Sequence, residues 1–78
     1  MTPRAVLNKL KWTEGLGLEK AEIWYVHRGA PDDTKIIMGS AIMELGSSFF
    51  RSEEATIPYH RIFKIVYENE VLFERRNI

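Results

Sequence analysis

Two His-Arg dipeptides carry the side chains of this sequence that are best suited to chemistry. His27-Arg28 and His60-Arg61 contain both histidines of the chain. A guanidinium group is always charged and offers a planar fork of donors to phosphate, whereas imidazole donates a hydrogen bond or transfers a proton near neutral pH. Gly29 follows the first pair and would let an anion approach backbone N–H groups closely. Two such clusters would form a compact phosphate site if they converge in space, which the sequence alone leaves open.

The same dipeptides allow two other interpretations. The two imidazoles could act as general base and general acid on a phosphodiester, with the arginines stabilising the developing charge. Alternatively, the pairs could only hold loops together in a structural or protein-interaction domain. The carboxylates available for that role belong to Asp32, Asp33, Glu53 and Glu54.

Further residues beside the two pairs are candidates for binding. Tyr59 directly precedes the second pair and is predicted to stack on a base or to hydrogen-bond to a sugar. Lys35, Arg75 and Arg76 are secondary candidates for contacts to the nucleic-acid backbone next to the bound phosphate. The chain has no cysteine, and its histidines lack a metal-ligand spacing such as His-x-x-x-His. We therefore expect neither a metal nor another cofactor.

Length and charge limit the kinds of protein that this chain could be. Its 78 residues, 45% of them hydrophobic, predict a single domain over residues 1–78 with its own core. The formal net charge of zero excludes a protein that binds long stretches of nucleic acid by bulk positive charge, and favours a local site for one phosphate. No apolar run approaches the roughly 20 residues of a membrane-spanning helix. The absence of cysteine fits a cytoplasmic location.

One helix and about five strands are predicted to position the two pairs. Thr2 is a good N-cap and Pro3 suits the first helical position, so a helix should begin there and end near Trp12. Alternating apolar residues and turn signals then predict strands over 21–28, 34–38, 49–52, 62–67 and 71–75. Residues 40–45 are ambiguous between a helical turn and a strand, and Thr56-Ile57 is a candidate start for a further strand. The order predicts an α+β domain, with the N-terminal helix packed on a curled, mainly antiparallel sheet of about five strands.

Aromatic side chains should supply much of the core by alternation along these strands. The residues concerned are Trp24, Tyr25, Phe49, Phe50, Phe63 and Phe73. Trp12 either locks the helix on the sheet or marks a surface for a partner.

Three stretches of the chain resemble a known domain family. They are residues 3–12, 27–33 and 57–62, and the last of them, Ile-Pro-Tyr-His-Arg-Ile, is the most specific. Over nearly its whole length the chain resembles the small, mainly archaeal family called the RNA cyclic-group end recognition domain. It departs from that family at Asn69, where glycine is frequent, and at Phe73, where an aromatic such as tryptophan is usual.

This resemblance implies a role linked to RNA, since relatives occur fused to RNA-processing modules. The implied activity is recognition of RNA termini that bear a phosphate or a 2′,3′-cyclic phosphate. The implied partners are RNA 3′ ends and RNA-processing enzymes, with no membrane partner, and the oligomeric state is left open. Residue by residue, the resemblance points to His27, Arg28, Tyr59, His60 and Arg61. We expect binding without catalysis, and a phosphodiesterase that uses the paired histidines is the main alternative.

Overall fold

A computed structural model of the protein describes residues 2–75 and begins with helix α1, Pro3–Trp12. The Thr2 hydroxyl accepts a hydrogen bond of 3.1 Å from the backbone N–H of Ala5, which caps the helix as predicted. Val6, Leu7 and Leu10 form its buried face. In the described part of the chain, no helix is long and apolar enough to cross a membrane.

Seven strands follow in the described residues and form two antiparallel sheets. They are β1 (Ala21–Val26), β2 (Thr34–Met38), β3 (Ile42–Leu45), β4 (Phe49–Ser52), β5 (Thr56–Pro58), β6 (Ile62–Tyr67) and β7 (Glu70–Glu74). The four-stranded sheet has the order β2-β1-β6-β7, and the three-stranded sheet has the order β3-β4-β5. The two turn residues between β6 and β7, Glu68 and Asn69, have φ of 48° and 68°. Left-handed angles at both central residues are typical of tight hairpin turns.

The α+β class is confirmed, but the single curled sheet of about five strands is wrong. Residues 42–45, within the ambiguous segment, form β3 and pair with β4 rather than extending the first sheet. The short strand β5 also pairs with β4. Phe50 and Ile57 point into the core from these strands, so the second sheet covers apolar surface that one sheet and a helix would leave open. Pro58 cannot donate to a ladder, which agrees with its place on edge strand β5.

One core is shared by helix α1 and both sheets. Its completely buried large side chains are Phe50, Leu7, Leu10, Ile23, Ile62 and Ile65. Along β1, every second side chain faces this core, and the intervening side chains are half-buried on the opposite side of the sheet. We call that opposite side the outer face.

The expected aromatic core is only partly correct. Tyr25 and Phe50 are buried, whereas Trp24 and Phe63 are half-buried. Trp24 alternates with the inward-facing side chains of β1 and therefore lies on the outer face. Trp12 is 74% exposed, so it does not lock the helix onto the sheet.

Candidate functional site

The register of the central strands brings both His-Arg pairs to one end of the four-stranded sheet. The last pair in the β1–β6 ladder is Tyr25 opposite Ile62. His27 lies two residues after Tyr25, and His60 lies two residues before Ile62. Two residues span at most about 7 Å of extended chain. The Cα atom of each histidine is therefore within about that distance of the same ladder pair.

The first pair lies in the loop that joins β1 to β2, not in the strand predicted over residues 21–28. The His27 N–H donates to the Asp33 carbonyl at 2.8 Å, and the Ala30 N–H donates to the His27 carbonyl at 3.2 Å. The first bond continues the β1–β2 pairing one residue beyond Val26–Thr34, and together the two bonds close the loop, in which His27 and Arg28 are exposed.

Gly29 has a positive φ in this loop, as do Asp32 and Asp33. The φ of Gly29 is +96°, and a Cβ atom at this position would have no neighbour within 4 Å, so the need for glycine is conformational rather than spatial. The Gly29 N–H lies 3.4 Å from a carboxylate oxygen of Asp33, which is a long and weak contact. An anion that uses this N–H would have to displace the Asp33 carboxylate.

An open depression of about 730 Å³ lies against this loop. Trp24 and Ile36, which are partners across the β1–β2 ladder, contribute its apolar surface. His27, Arg28 and Lys35 contribute its cationic and imidazole groups. The loop thus combines cationic and imidazole side chains with an apolar surface on the outer face.

The second pair lies in a 3-10 turn, Tyr59–Arg61, immediately before β6. His60 and Arg61 are exposed, whereas Tyr59 is buried. The Tyr59 ring packs against the Phe50 ring with centroids 6.0 Å apart, and the Tyr59 hydroxyl donates to the Gly46 carbonyl at 2.8 Å.

The predicted stacking role of Tyr59 does not agree with this position. A ring inside the core and a hydroxyl already bonded to Gly46 leave no face for a nucleobase. Burial raises the pKa of the Tyr59 hydroxyl, and the positive charge of Arg4 acts in the opposite direction. Tyr59 instead anchors the turn that presents His60 and Arg61 to solvent.

Arg75 holds the same turn from the C-terminal side. Its Nη2 donates to the carbonyls of Ile62 and His60, the latter at 3.1 Å, and lies 3.5 Å from that of Tyr59. Its backbone N–H also donates to the Phe63 carbonyl at 2.8 Å. These bonds give Arg75 a positioning role, which differs from the flanking contact predicted for it. The other cation predicted there, Arg76, lies outside the described residues.

The arginines of the two pairs carry charge that is not neutralised by ion pairs within residues 2–75. The ion pairs of that part of the chain are Lys20–Glu68, Lys35–Glu54 and Arg51–Glu44, all between exposed groups. Glu54, a proposed partner of the arginines, is therefore engaged by Lys35. The same ion pair partly occupies Lys35.

The fold, and the two His-Arg pairs at one end of the four-stranded sheet, define a small α+β domain with a candidate anion-binding surface. Its sequence matches the family described as the MJ1316 RNA cyclic group end recognition domain over residues 1–75. The chain belongs to this family, and the resemblance noted from the sequence is confirmed.

Archaeal relatives of similar length support this assignment. A UPF0248 protein of Pyrobaculum aerophilum is 40% identical over 78 residues, which cover 94% of this chain and 97% of that protein. A UPF0248 protein of Methanococcus maripaludis is 37% identical over 75 residues, with the same coverage of each chain. A UPF0248 protein of Pyrobaculum calidifontis is 38% identical over 78 residues, which cover 94% of this chain and 96% of that protein. No solved structure matches the chain.

Proposed function

We propose that this protein binds the phosphate-bearing 3′ end of an RNA, including an end closed as a 2′,3′-cyclic phosphate. The observation that carries the proposal is the placement of two exposed His-Arg pairs beside one ladder pair, Tyr25–Ile62. The description of the family, recognition of RNA cyclic-group ends, supports the same ligand.

Each pair supplies complementary chemistry for a terminal phosphate. Arg28 and Arg61 provide charge-assisted hydrogen bonds, which are about twice as strong as those between neutral groups. His27 and His60 donate further hydrogen bonds to phosphate oxygens. Gly29 allows the turn that exposes the first pair, and Tyr59 fixes the turn that exposes the second.

The charge of the chain favours a ligand with few phosphate contacts. A formal net charge of zero would attract a long RNA only weakly, so affinity must come from these local groups. For single strands, the logarithm of the binding constant falls by about 0.7 per contacted phosphate for each tenfold rise in salt. A site that reads one terminal phosphate and one flanking phosphate should show a slope of about −1.4, far shallower than that of a protein following a long groove.

The proposal is tested with short RNAs of one sequence that end in a cyclic phosphate, a 3′-phosphate or a 3′-hydroxyl. Affinity is measured by anisotropy, and the RNA is recovered to detect opening of the cyclic phosphate. We expect tighter binding of the two phosphate-bearing ends without turnover. Equal and weak binding of all three ends would contradict the proposal.

Single substitutions connect this preference to the site. Arg28→Ala and Arg61→Ala should each reduce the preference for phosphate, because each removes a charged donor. Arg51→Ala is the matched control, since Arg51 lies on β4 in the other sheet and pairs with Glu44. If the wild type opens the cyclic phosphate and His60→Ala does not, the protein is a phosphodiesterase that uses the paired histidines rather than a binding protein. An unchanged preference in both site variants would exclude these arginines from phosphate binding.

A further inference from the structure

The outer face of the four-stranded sheet exposes apolar side chains beside the first His-Arg pair. Trp24 is half-buried there, and its cross-strand partner Ile36 is 47% exposed. Met38, two residues further along β2, is 43% exposed. The solvated face of an antiparallel sheet is commonly polar, so this surface is suited to a ligand with an apolar part.

Three neighbours hold the Trp24 indole in place. Its Nε1–H donates to the Glu22 carboxylate at 3.3 Å, and the Phe63 ring meets it edge-on with centroids 6.5 Å apart. The Lys64 ammonium lies 4.8 Å from the centre of the indole ring. A ring held in this way loses little conformational freedom when a flat ligand packs against it.

We propose that Trp24 is a stacking platform for an unpaired nucleobase next to the phosphate-bearing end of the RNA. The inference rests on the proposed function, because it places the base and the phosphate in one site. Trp24 and Ile36 line the same depression as His27 and Arg28, so a nucleotide with its phosphate on the loop would have its base on the outer face. The volume of about 730 Å³ is within the range of small-ligand sites.

The charges around the platform fit a nucleotide better than a purely apolar ligand. Arg28, which has no ion pair within residues 2–75, lines the depression together with Asp32 and with Lys35, which pairs with Glu54, and Lys64 lies over the indole. Cations beside an aromatic surface are typical of single-strand binding sites, in which bases stack and the backbone follows positive charge.

This geometry selects a class of RNA end. A base that stacks on Trp24 must leave its own helical stack, which costs less in a single strand than in a base-paired end. The substrate class is therefore a single-stranded 3′ end. A 3′ overhang should bind like a free single strand, and a blunt duplex with the same terminal phosphate should bind more weakly.

The two tryptophans of the chain allow a direct test by fluorescence. In a Trp12→Phe background, Trp24 is the sole tryptophan, and a stacked base should quench its emission. The matched control is Trp24→Phe, which leaves Trp12 as the reporter on the exposed end of helix α1. Its emission should not change when the same 3′-phosphate RNA is added.

Affinity measurements complete the test. Base stacking on an aromatic side chain contributes about 1–3 kcal/mol, so Trp24→Leu should weaken binding of single-stranded 3′-phosphate RNA by about 5- to 150-fold. Trp24→Phe keeps an aromatic ring and should recover part of this loss. The ratio of affinities for 3′-phosphate and 3′-hydroxyl ends should stay the same in both variants, because the phosphate contacts remain. Circular dichroism shows whether each variant is folded.

The two proposals fail in different ways. If phosphate preference persists but Trp24→Leu binds like the wild type and Trp24 emission does not change, the stacking inference is overturned and the proposed function stands. If the wild type binds 3′-phosphate and 3′-hydroxyl ends equally, the proposed function is overturned, and the placement of a base beside a terminal phosphate falls with it. Equal affinity for an overhang and a blunt duplex would overturn the selection for single strands.

Discussion

Removing the Arg75 guanidinium should loosen the turn that presents His60 and Arg61. In Arg75→Ala, the carbonyls of His60 and Ile62 lose a charged donor, while the third contact, at 3.5 Å to Tyr59, is too long to count. A hydrogen bond to a charged group is worth about 1.5–3 kcal/mol. Because one nitrogen serves both carbonyls and the side chain is half-buried, we expect the total loss to be about 2 kcal/mol. A 78-residue domain has a free energy of unfolding of only about 4–12 kcal/mol, so this loss is a large part of it.

Urea unfolding measures this loss, and thermal unfolding should show a fall of about 8–16 °C in Tm. Arg51→Ala is the control, since its ion pair with Glu44 is exposed and worth at most about 1 kcal/mol. Binding of 3′-phosphate RNA should weaken together with stability, and Arg75→Lys should recover less than half of either loss because an ammonium lacks the planar fork. If Arg75→Ala has wild-type stability but reduced RNA affinity, the positioning role is refuted, and the direct contact between Arg75 and the RNA backbone that the sequence predicted is favoured.

Two further predictions concern the internal packing of the domain. Tyr59→Phe should cost about 1 kcal/mol at pH 8, because the bond to the Gly46 carbonyl is lost. Burial raises the pKa of Tyr59 in the folded protein, so the hydroxyl's contribution is complete below the unfolded pKa of about 10 and declines as the pH rises toward the folded pKa. The difference in stability between wild type and Tyr59→Phe should therefore shrink as the pH rises above about 10, and a constant difference in urea midpoints would contradict this. Gly39→Ala should destabilise the protein by about 3 kcal/mol, because its Cβ would lie 1.8 Å from the Leu18 carbonyl oxygen, whereas Gly29→Ala meets only the conformational cost of about 1 kcal/mol. Equal urea midpoints for these two glycine variants would show that the close contact between position 39 and the Leu18 carbonyl does not add to the loss of stability.

Local signals in the sequence were sufficient for most element bounds. Helix α1 begins and ends where the Thr2 cap, Pro3 and the apolar spacing predict, because capping acts within one turn. The bounds of β2, β4 and β6 agree with the predicted strands over 34–38, 49–52 and 62–67. Alternation and turn residues are likewise local properties of the chain.

Sheet membership and the direction of side chains required the tertiary structure. Alternation separates the two faces of β1 but does not say which face meets the helix and the second sheet. Packing put Tyr25 inside and Trp24 on the outer face, where its indole lines the depression beside the first pair. The strands over 42–45 and 56–58 form a second sheet with β4 instead of extending the first sheet, because their apolar side chains complete the core from the opposite side.

The sequence by itself determined the chemical groups of the candidate site and the family to which the chain belongs. The dipeptides His27-Arg28 and His60-Arg61 are visible without a structure, and so is the Ile-Pro-Tyr-His-Arg-Ile stretch. Only the tertiary structure decided that both pairs lie beside one ladder pair, because antiparallel register is set by contacts between strands distant in the chain. It also decided that Tyr59 and Arg75 hold the turn that carries the second pair, since the partners of their hydrogen bonds lie 13 to 15 residues away along the chain.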